Sequence, residues 1–472
     1  MIRDLQPNPT PTTSTPSKRA LRLLLPATLG AAAFFAIWNP FEKVDHAAWE
    51  RDLDILLADL AGGHANLDWL AATGRVNPPR LAAQARRGLR EASSNRAARS
   101  VLYAFVDGFH DPHLRIEGRR NWLSGFLRKR RRQEIDYRGE GYTDLPAGVF
   151  EAGLLALGQG TTAGVIRIER FGHETYGDVM RAANNDDEKA MRMLVDRLLE
   201  RITEIQRRGA QALMIDITGN GGGTDWADGA ARLLSPKPLH YGGVGFVRHP
   251  HHTSTLPAQR AMLERDRARA GLRPEQRELI DRALAEQSRL EREAAVNCDR
   301  SLVWTTGAAP CSSLIRRPGG GLAGYVPPGV VNGLESAGVL FHEESLRVRE
   351  GAWTGPVAIL MDGRTASASE QFAALLRDNG AAVLLGQRSL GAGCGYTNGG
   401  ITSRLPHSGL VVRMPDCARF RANGENEIAG LEPDVPLASA AELKQTLSRL
   451  ASGNPRPDPV PLPTPPPAPA QP

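Results

Sequence analysis

Apolar residues recur at three- and four-residue intervals over residues 49–60, 79–89 and 95–106, the spacing that turns one face of a helix toward a core. The spacing predicts three helices packed as a small bundle. The last of them should stop at Asp107-Gly-Phe-His-Asp-Pro-His113, because Pro112 cannot continue it, and a strand is expected to follow toward Ile116. Further on, residues 163–171 read as a strand and residues 187–208 as a long helix with Met191, Leu194, Leu198, Ile202 and Ile205 on one stripe. Residues 211–218 read as a buried strand that runs into Asn220-Gly-Gly-Gly223. Strand, helix and strand in that order predict an α/β core with right-handed crossovers. The same pattern resumes with an apolar run at 355–362, an amphipathic one at 371–378, a strand at 381–387 and a strand pair at 401–405 and 410–414.

Between these blocks the pattern changes to mixed-charge helices over 259–270 and 274–296, then a Gly/Pro-rich loop through Pro328. Alternating Arg and Glu on such helices marks a solvated face. The resulting division is a tail over 1–20, an export segment over 21–38, a helical unit over 45–117 and a basic connector over 118–160. An α/β core over 161–248 and 335–440 follows, interrupted by a helical insertion over 249–334, with a helix end and Pro-rich tail over 441–472.

Composition bears on location and partners. The chain has 472 residues, enough for two or three domains, with 41% hydrophobic content and a formal charge of +6. Much of that charge sits in the cluster at 119–133, which reads as a solvated loop, and no nucleic-acid partner is expected. Lys18-Arg19-Ala-Leu-Arg22 precedes an uncharged apolar run ending at Trp38, a signal anchor or signal peptide, with the positive flank favouring export of everything after it. The absence of a small-x-small cleavage site favours an anchor. The bulk of the chain is therefore expected in a periplasmic or other extracytoplasmic space, attached to the inner membrane through that segment or secreted. Four cysteines in two nearby pairs fit an oxidising compartment, with bridges expected at Cys298–Cys311 and Cys394–Cys417.

The candidate chemistry centres on Thr365-Ala-Ser-Ala-Ser-Glu370, at a strand-to-helix corner where free N–H groups favour a developing negative charge. Ser367 there is a candidate nucleophile, although Ser367-x-x-Glu370 also fits a helix capping box. Asp216-Ile-Thr-Gly-Asn220-Gly-Gly-Gly223, then the Ser367 hexapeptide, then Gly430-Leu-Glu-Pro-Asp434 together resemble the tail-specific, or C-terminal processing, serine peptidases. The resemblance implies a crotonase-like α/β spiral, a polypeptide substrate, and Ser367 as the attacking group. It also implies oxyanion donors in Gly221, Gly222 and Gly223 and at Ala368, a role that glycine's freedom of backbone approach suits.

The best-known branch of that family activates its serine with a lysine, and Ser389-Leu-Gly-Ala392-Gly-Cys394 has none. A second branch, similar to the tricorn core peptidases, uses a histidine in a motif like Asp111-Pro-His113-Leu114, which nominates His113 as base with His110 as the alternative. The same branch places a supporting glutamate before the Gly-x-x-Pro-Asp segment, which points to Glu427 or, close by, Glu425. No Cys-x-x-Cys spacing occurs, and Pro112 breaks the register of Asp107, His110, Asp111 and His113, so no metal and no cofactor are expected. The alternative function is a peptidase-like peptide- or envelope-binding protein without turnover, which Ala392 in place of the lysine favours.

Overall fold

Backbone donors at the start of the three long N-terminal helices are met by short polar side chains. α1 (His46–Gly63), α2 (Pro78–Arg90) and α3 (Asn95–Asp107) begin where Asp45, Asn77 and Ser94 accept from the N–H groups of Ala48, Arg80 and Ala97. Their stripes, among them Leu53, Leu56, Leu60, Leu89, Leu102 and Phe105, are buried together. The structure, a computed structural model, describes residues 43–118, 135–224, 226–297, 299–342 and 349–453. The N-terminal tail and export segment, the basic cluster, Cys298 and the Pro-rich tail lie outside the described residues.

After α3 the chain forms β1 (Arg115–Ile116), β2 (Tyr142–Asp144), β3 (Glu151–Gly158) and β4 (Thr161–Arg167), then α4 (Asp187–Arg207), β5 (Ala212–Asp216) and α5 (Trp226–Leu233). β6 (Gly243–Val247) precedes α6 (Leu256–Arg267), α7 (Pro274–Ala294) and β7 (Leu314–Pro318). The last third holds β8 (Val357–Met361), α8 (Ala368–Asp378), β9 (Val383–Gly386), β10 (Ile401–Arg404), β11 (Val411–Met414), β12 (Cys417–Phe420), β13 (Val435–Pro436) and α9 (Ala440–Ala451).

The fold is mixed α/β around a seven-stranded mixed sheet in the order β13-β9-β8-β5-β4-β3-β2. β4, β5, β8, β9 and β13 run parallel, while β3 and β2 are added antiparallel at one side. The parallel strands are apolar on both faces because both faces are covered. α4, α5 and α8 bury Leu198, Ile202, Trp226 and Phe372 against one, and α9 buries Leu443 and Leu447 against the other. β2 and β3 correct the expectation of a plain connector over 118–160. Glu151–Gly158 is largely Ala, Gly and Leu, residues with little strand preference of their own, and it is a strand because it pairs with β4.

Two small antiparallel sheets, β1-β11-β10 and β12-β6-β7, tie distant parts of the chain together. Through the first, the N-terminal helices share a core with Ile401, Val412 and Met414, which brings the α3–β1 loop onto the C-terminal third. The second places residues 314–318, expected within an insertion, in register with β6, which also pairs with β12. The expected Cys394–Cys417 bridge is present. No helix among the described residues is long and apolar enough to cross a membrane.

Candidate active site

Ser367 occupies the corner between β8 and α8 with φ 58° and ψ −121°, a conformation that costs a residue with a Cβ about 1–3 kcal/mol. Neighbours hold it there. Its N–H donates to Glu370 Oε2 at 2.8 Å, and its carbonyl accepts from Arg419 Nη2 at 3.0 Å and from the Gln371 N–H at 3.0 Å. Glu370 is more than a helix cap. Fully buried, it also accepts from the Ser389 hydroxyl, from Gly391 N at 2.8 Å, Ala392 N at 2.9 Å and Gly393 N at 3.4 Å. Burial pushes its carboxyl above the ordinary range, against these donors, and the one side chain couples the serine corner to the 389–393 loop.

Asn220 fastens the glycine run to the same corner. Its carbonyl accepts from Ala366 N at 3.0 Å and Ser369 Oγ at 2.6 Å, and its side-chain oxygen accepts from Gly222 N at 2.9 Å. The Gly222 N–H is thereby occupied, and Gly222 contributes shape. Gly221, Gly223 and Ala368 have N–H groups with no acceptor among the described residues. A Cβ on Gly222 would stand 2.7 Å from Ser367 Cβ and 2.8 Å from Ala368 N, at a φ of +91° that L side chains rarely adopt. Gly222→Ala is therefore expected to displace Ser367 and the Ala368 N–H and, if these are the nucleophile and oxyanion donor that the sequence resemblance implies, to lower kcat/KM on a peptide substrate at least about 100-fold.

His113 lies two residues before β1, in the loop the small sheet carries across. Its Nδ1 is 3.1 Å from the carbonyl of Ala392, so Nδ1 carries the hydrogen and Nε2 keeps its lone pair. The Tyr396 hydroxyl donates to the His113 carbonyl, and its ring meets the imidazole edge-on at 5.5 Å. Asp111 Oδ1 accepts from His113 N at 2.9 Å, while Asp111 Oδ2 accepts from Asn66 Nδ2 at 3.1 Å, and Asn66 Oδ1 accepts from Asn426 Nδ2 at 3.1 Å. Burial lowers the His113 pKa below its ordinary value of 6.5, with Asp111 and the Ala392 hydrogen bond opposing and Arg419 and Arg115 assisting. Among the described residues no hydrogen bond joins His113 to Ser367 directly. The two are linked through the Ala392 peptide and Glu370.

Glu427 and Glu425 separate clearly in surroundings. Glu427 is buried and its Oε2 accepts from Arg419 Nε at 2.6 Å, whereas Glu425 is partly exposed and sits 3.6 Å from Arg421. Arg419 also donates to the Gly393 carbonyl at 2.9 Å, so a single guanidinium holds the serine corner, the loop and Glu427 together. Asn220 and Asp111 stand inside the motifs read from the sequence, but nothing there marks Arg419, Asn66 or Asn426, whose partners include residues far along the chain. His110 has φ 53° and no part in this cluster among the described residues. Beside the serine corner a cleft of about 330 Å³ is lined by Gln371, Cys394, Thr397, Arg419, Phe420 and Glu427, among others.

The profile of peptidase family S41 matches residues 162–437. Among solved structures, mature CPAF is similar at a TM-score of 0.60 and 14% identity, covering 87% of this chain and 98% of that one. Mature CPAF complexed with lactacystin gives 0.59 and 14%, covering 86% and 99%. A putative peptidase from Parabacteroides merdae ATCC 43184 gives 0.49 and 13%, covering 85% and 96%. A search of curated proteins gives no match.

Proposed function

The chain belongs to peptidase family S41 and is a serine-type peptidase, and we propose that Ser367 is its nucleophile, with His113 rather than a lysine as base. On this reading Ser367 Oγ attacks the substrate carbonyl as His113 Nε2 takes its proton. The tetrahedral oxyanion is met by N–H groups from Gly221 or Gly223 and from Ala368, and His113 then returns the proton to the leaving amine. Water, deprotonated by the same imidazole, releases the acyl group from Ser367. Arg419 and Glu427 are positioning residues, holding the serine carbonyl and the 393 peptide as an ion pair.

The observation that carries this reading is the short chain of bonds from base to nucleophile: His113 Nδ1 to the Ala392 carbonyl, Ala392 N–H to Glu370, and Glu370 to the Ser367 N–H. The position where the lysine would stand thus orients an imidazole. Nucleophile–base contacts are often loose in free enzymes and tighten when substrate binds. The parallel strands β4, β5, β8, β9 and β13 support the further proposal that the core is a crotonase-like spiral. The apolar segment over 21–38 and the Cys394–Cys417 bridge support export, with the segment serving as anchor and a polypeptide as substrate.

Labelling by a serine-reactive fluorophosphonate tests the assignment. The wild type should label, and Ser367→Ala should not; equal labelling of both would reject Ser367, and a folded, unlabelled wild type would favour the binding protein without turnover.

A further inference from the structure

Outside the serine site one cluster is built for a ligand. His251 and His252, in the single turn Pro250–Thr253 that follows β6, meet Asp416 from the corner between β11 and β12. Asp416 Oδ2 lies 3.2 Å from His251 Nε2 and 3.3 Å from His252 Nε2, and these three atoms all fall within 4.8 Å of one another. Donors bound at 2.0–2.2 Å in a tetrahedral shell stand about 3.3 Å apart, so two of these separations already have the required size. Asp416 is wholly buried, and its Oδ2 and His252 Nε2 are both buried without a hydrogen-bond partner. A buried carboxylate oxygen left in that state is costly, and a bound cation would compensate it.

The remaining contacts define the shell. Asp416 Oδ1 accepts from Thr397 N at 2.9 Å, which fixes the carboxylate and leaves Oδ2 toward the histidines. His251 Nε2 is also 2.7 Å from the Thr397 carbonyl, so metal binding must displace the proton shared there, and that carbonyl or a water completes a fourth position. Two imidazoles and one carboxylate suit zinc and its neighbours in the first transition row and disfavour magnesium or calcium. A recess of about 210 Å³ lined by His251, His252, Thr255, Gln259 and Thr397, among others, leads to the cluster.

We propose that His251, His252 and Asp416 form a binding site for a divalent transition metal ion of the zinc class, clamping the start of the helical insertion to the 394–397 segment. That segment is functionally placed. Asp416 N donates to the Gly395 carbonyl at 3.2 Å, and Gly395 lies so near the His113 ring that a Cβ there would be 2.7 Å from Nε2. The Cys394–Cys417 bridge joins the same two stretches of chain.

The test uses the untagged full chain, stripped with a chelator, dialysed against zinc and analysed for retained metal, with a parallel thermal melt. We expect about one zinc per chain and a raised melting temperature, no effect of magnesium, and a tetrahedral cobalt spectrum on substitution. The variant carrying His251→Ala and His252→Ala, both partly exposed, should bind at least about tenfold more weakly and lose the cobalt spectrum. Asp416→Asn should do the same, with the histidine variant as the safeguard because Asp416 also holds Thr397. Zinc retained equally by wild type and the histidine variant, or retained by neither, would overturn the site and leave a carboxylate shared by two imidazoles. Since the readout is bound metal, its failure is distinct from failure of the peptidase assignment.

Discussion

Replacing Ser367 by alanine is expected to lower peptide hydrolysis by about six orders of magnitude, the scale on which removing a serine nucleophile acts when the rest of the site is intact. The same change should leave stability within about 0.5 kcal/mol, because the hydroxyl is small and the Glu370 and Arg419 bonds at this residue go to its backbone. Ser367→Gly separates the two properties further. At φ 58° and ψ −121° a glycine is unstrained where a serine is not, so this inactive variant should be more stable than wild type by about 1 kcal/mol. Urea unfolding of the three proteins alongside initial rates would measure both. An alanine variant retaining more than about a hundredth of the wild-type rate would remove Ser367 from the chemistry.

That trade depends on what surrounds the corner. Strain at Ser367 persists because Glu370 and Arg419 each hold it to the 389–393 loop through several bonds. Both are polar groups inside the protein that several neighbours depend on, so truncating one strands its partners: without Arg419, Glu427 would be left buried and unpaired.

How much of this was readable from the residues depended on range. Helices such as α1 and α4 announce themselves in the spacing of their apolar residues, α7 in its mixed charge, and β5 and β8 in short apolar runs next to glycines and small hydroxyl residues. Ser367, the glycine run and His113 could be singled out as candidates because short motifs carry them, and the fold brings them into one region. β3 was missed because Ala and Gly say little about strands, and its pairing with β4 decides the matter. The β12-β6-β7 sheet was missed because it joins residues 243–247 and 314–318 to 417–420, and no local period encodes partners so far apart. Arg419 lies in no element or motif read from the sequence, and only the arrival of Glu427, Gly393 and Ser367 around it ties it to the serine corner. In sequence Glu427 is favoured over Glu425, two residues away on one loop, only by its place relative to a motif, and the two differ in which of them the fold buries.

If the proposed assignment holds, His113→Ala should lower kcat by about three to four orders of magnitude with little change in KM, since a general base acts in the transition state rather than on ground-state binding. The pH profile carries the sharper signature. As the proposed base, His113 must be neutral, and burial holds its pKa below 6.5, so the acid limb of wild-type kcat/KM should lie on the acid side of the position expected for an ordinary imidazole. Arg115, exposed and repelling the protonated ring, helps keep that pKa down. Arg115→Gln should therefore raise it and move the decline toward neutral pH, while in His113→Ala the decline should disappear. Stability follows the same sign. His113 and the buried His64 both bind a proton less readily folded than unfolded, so as pH drops from 6.5 toward their folded values the unfolded chain gains protons first and the protein weakens. A profile whose acid limb stayed in place in His113→Ala and did not shift in Arg115→Gln would show that some other group takes the serine proton.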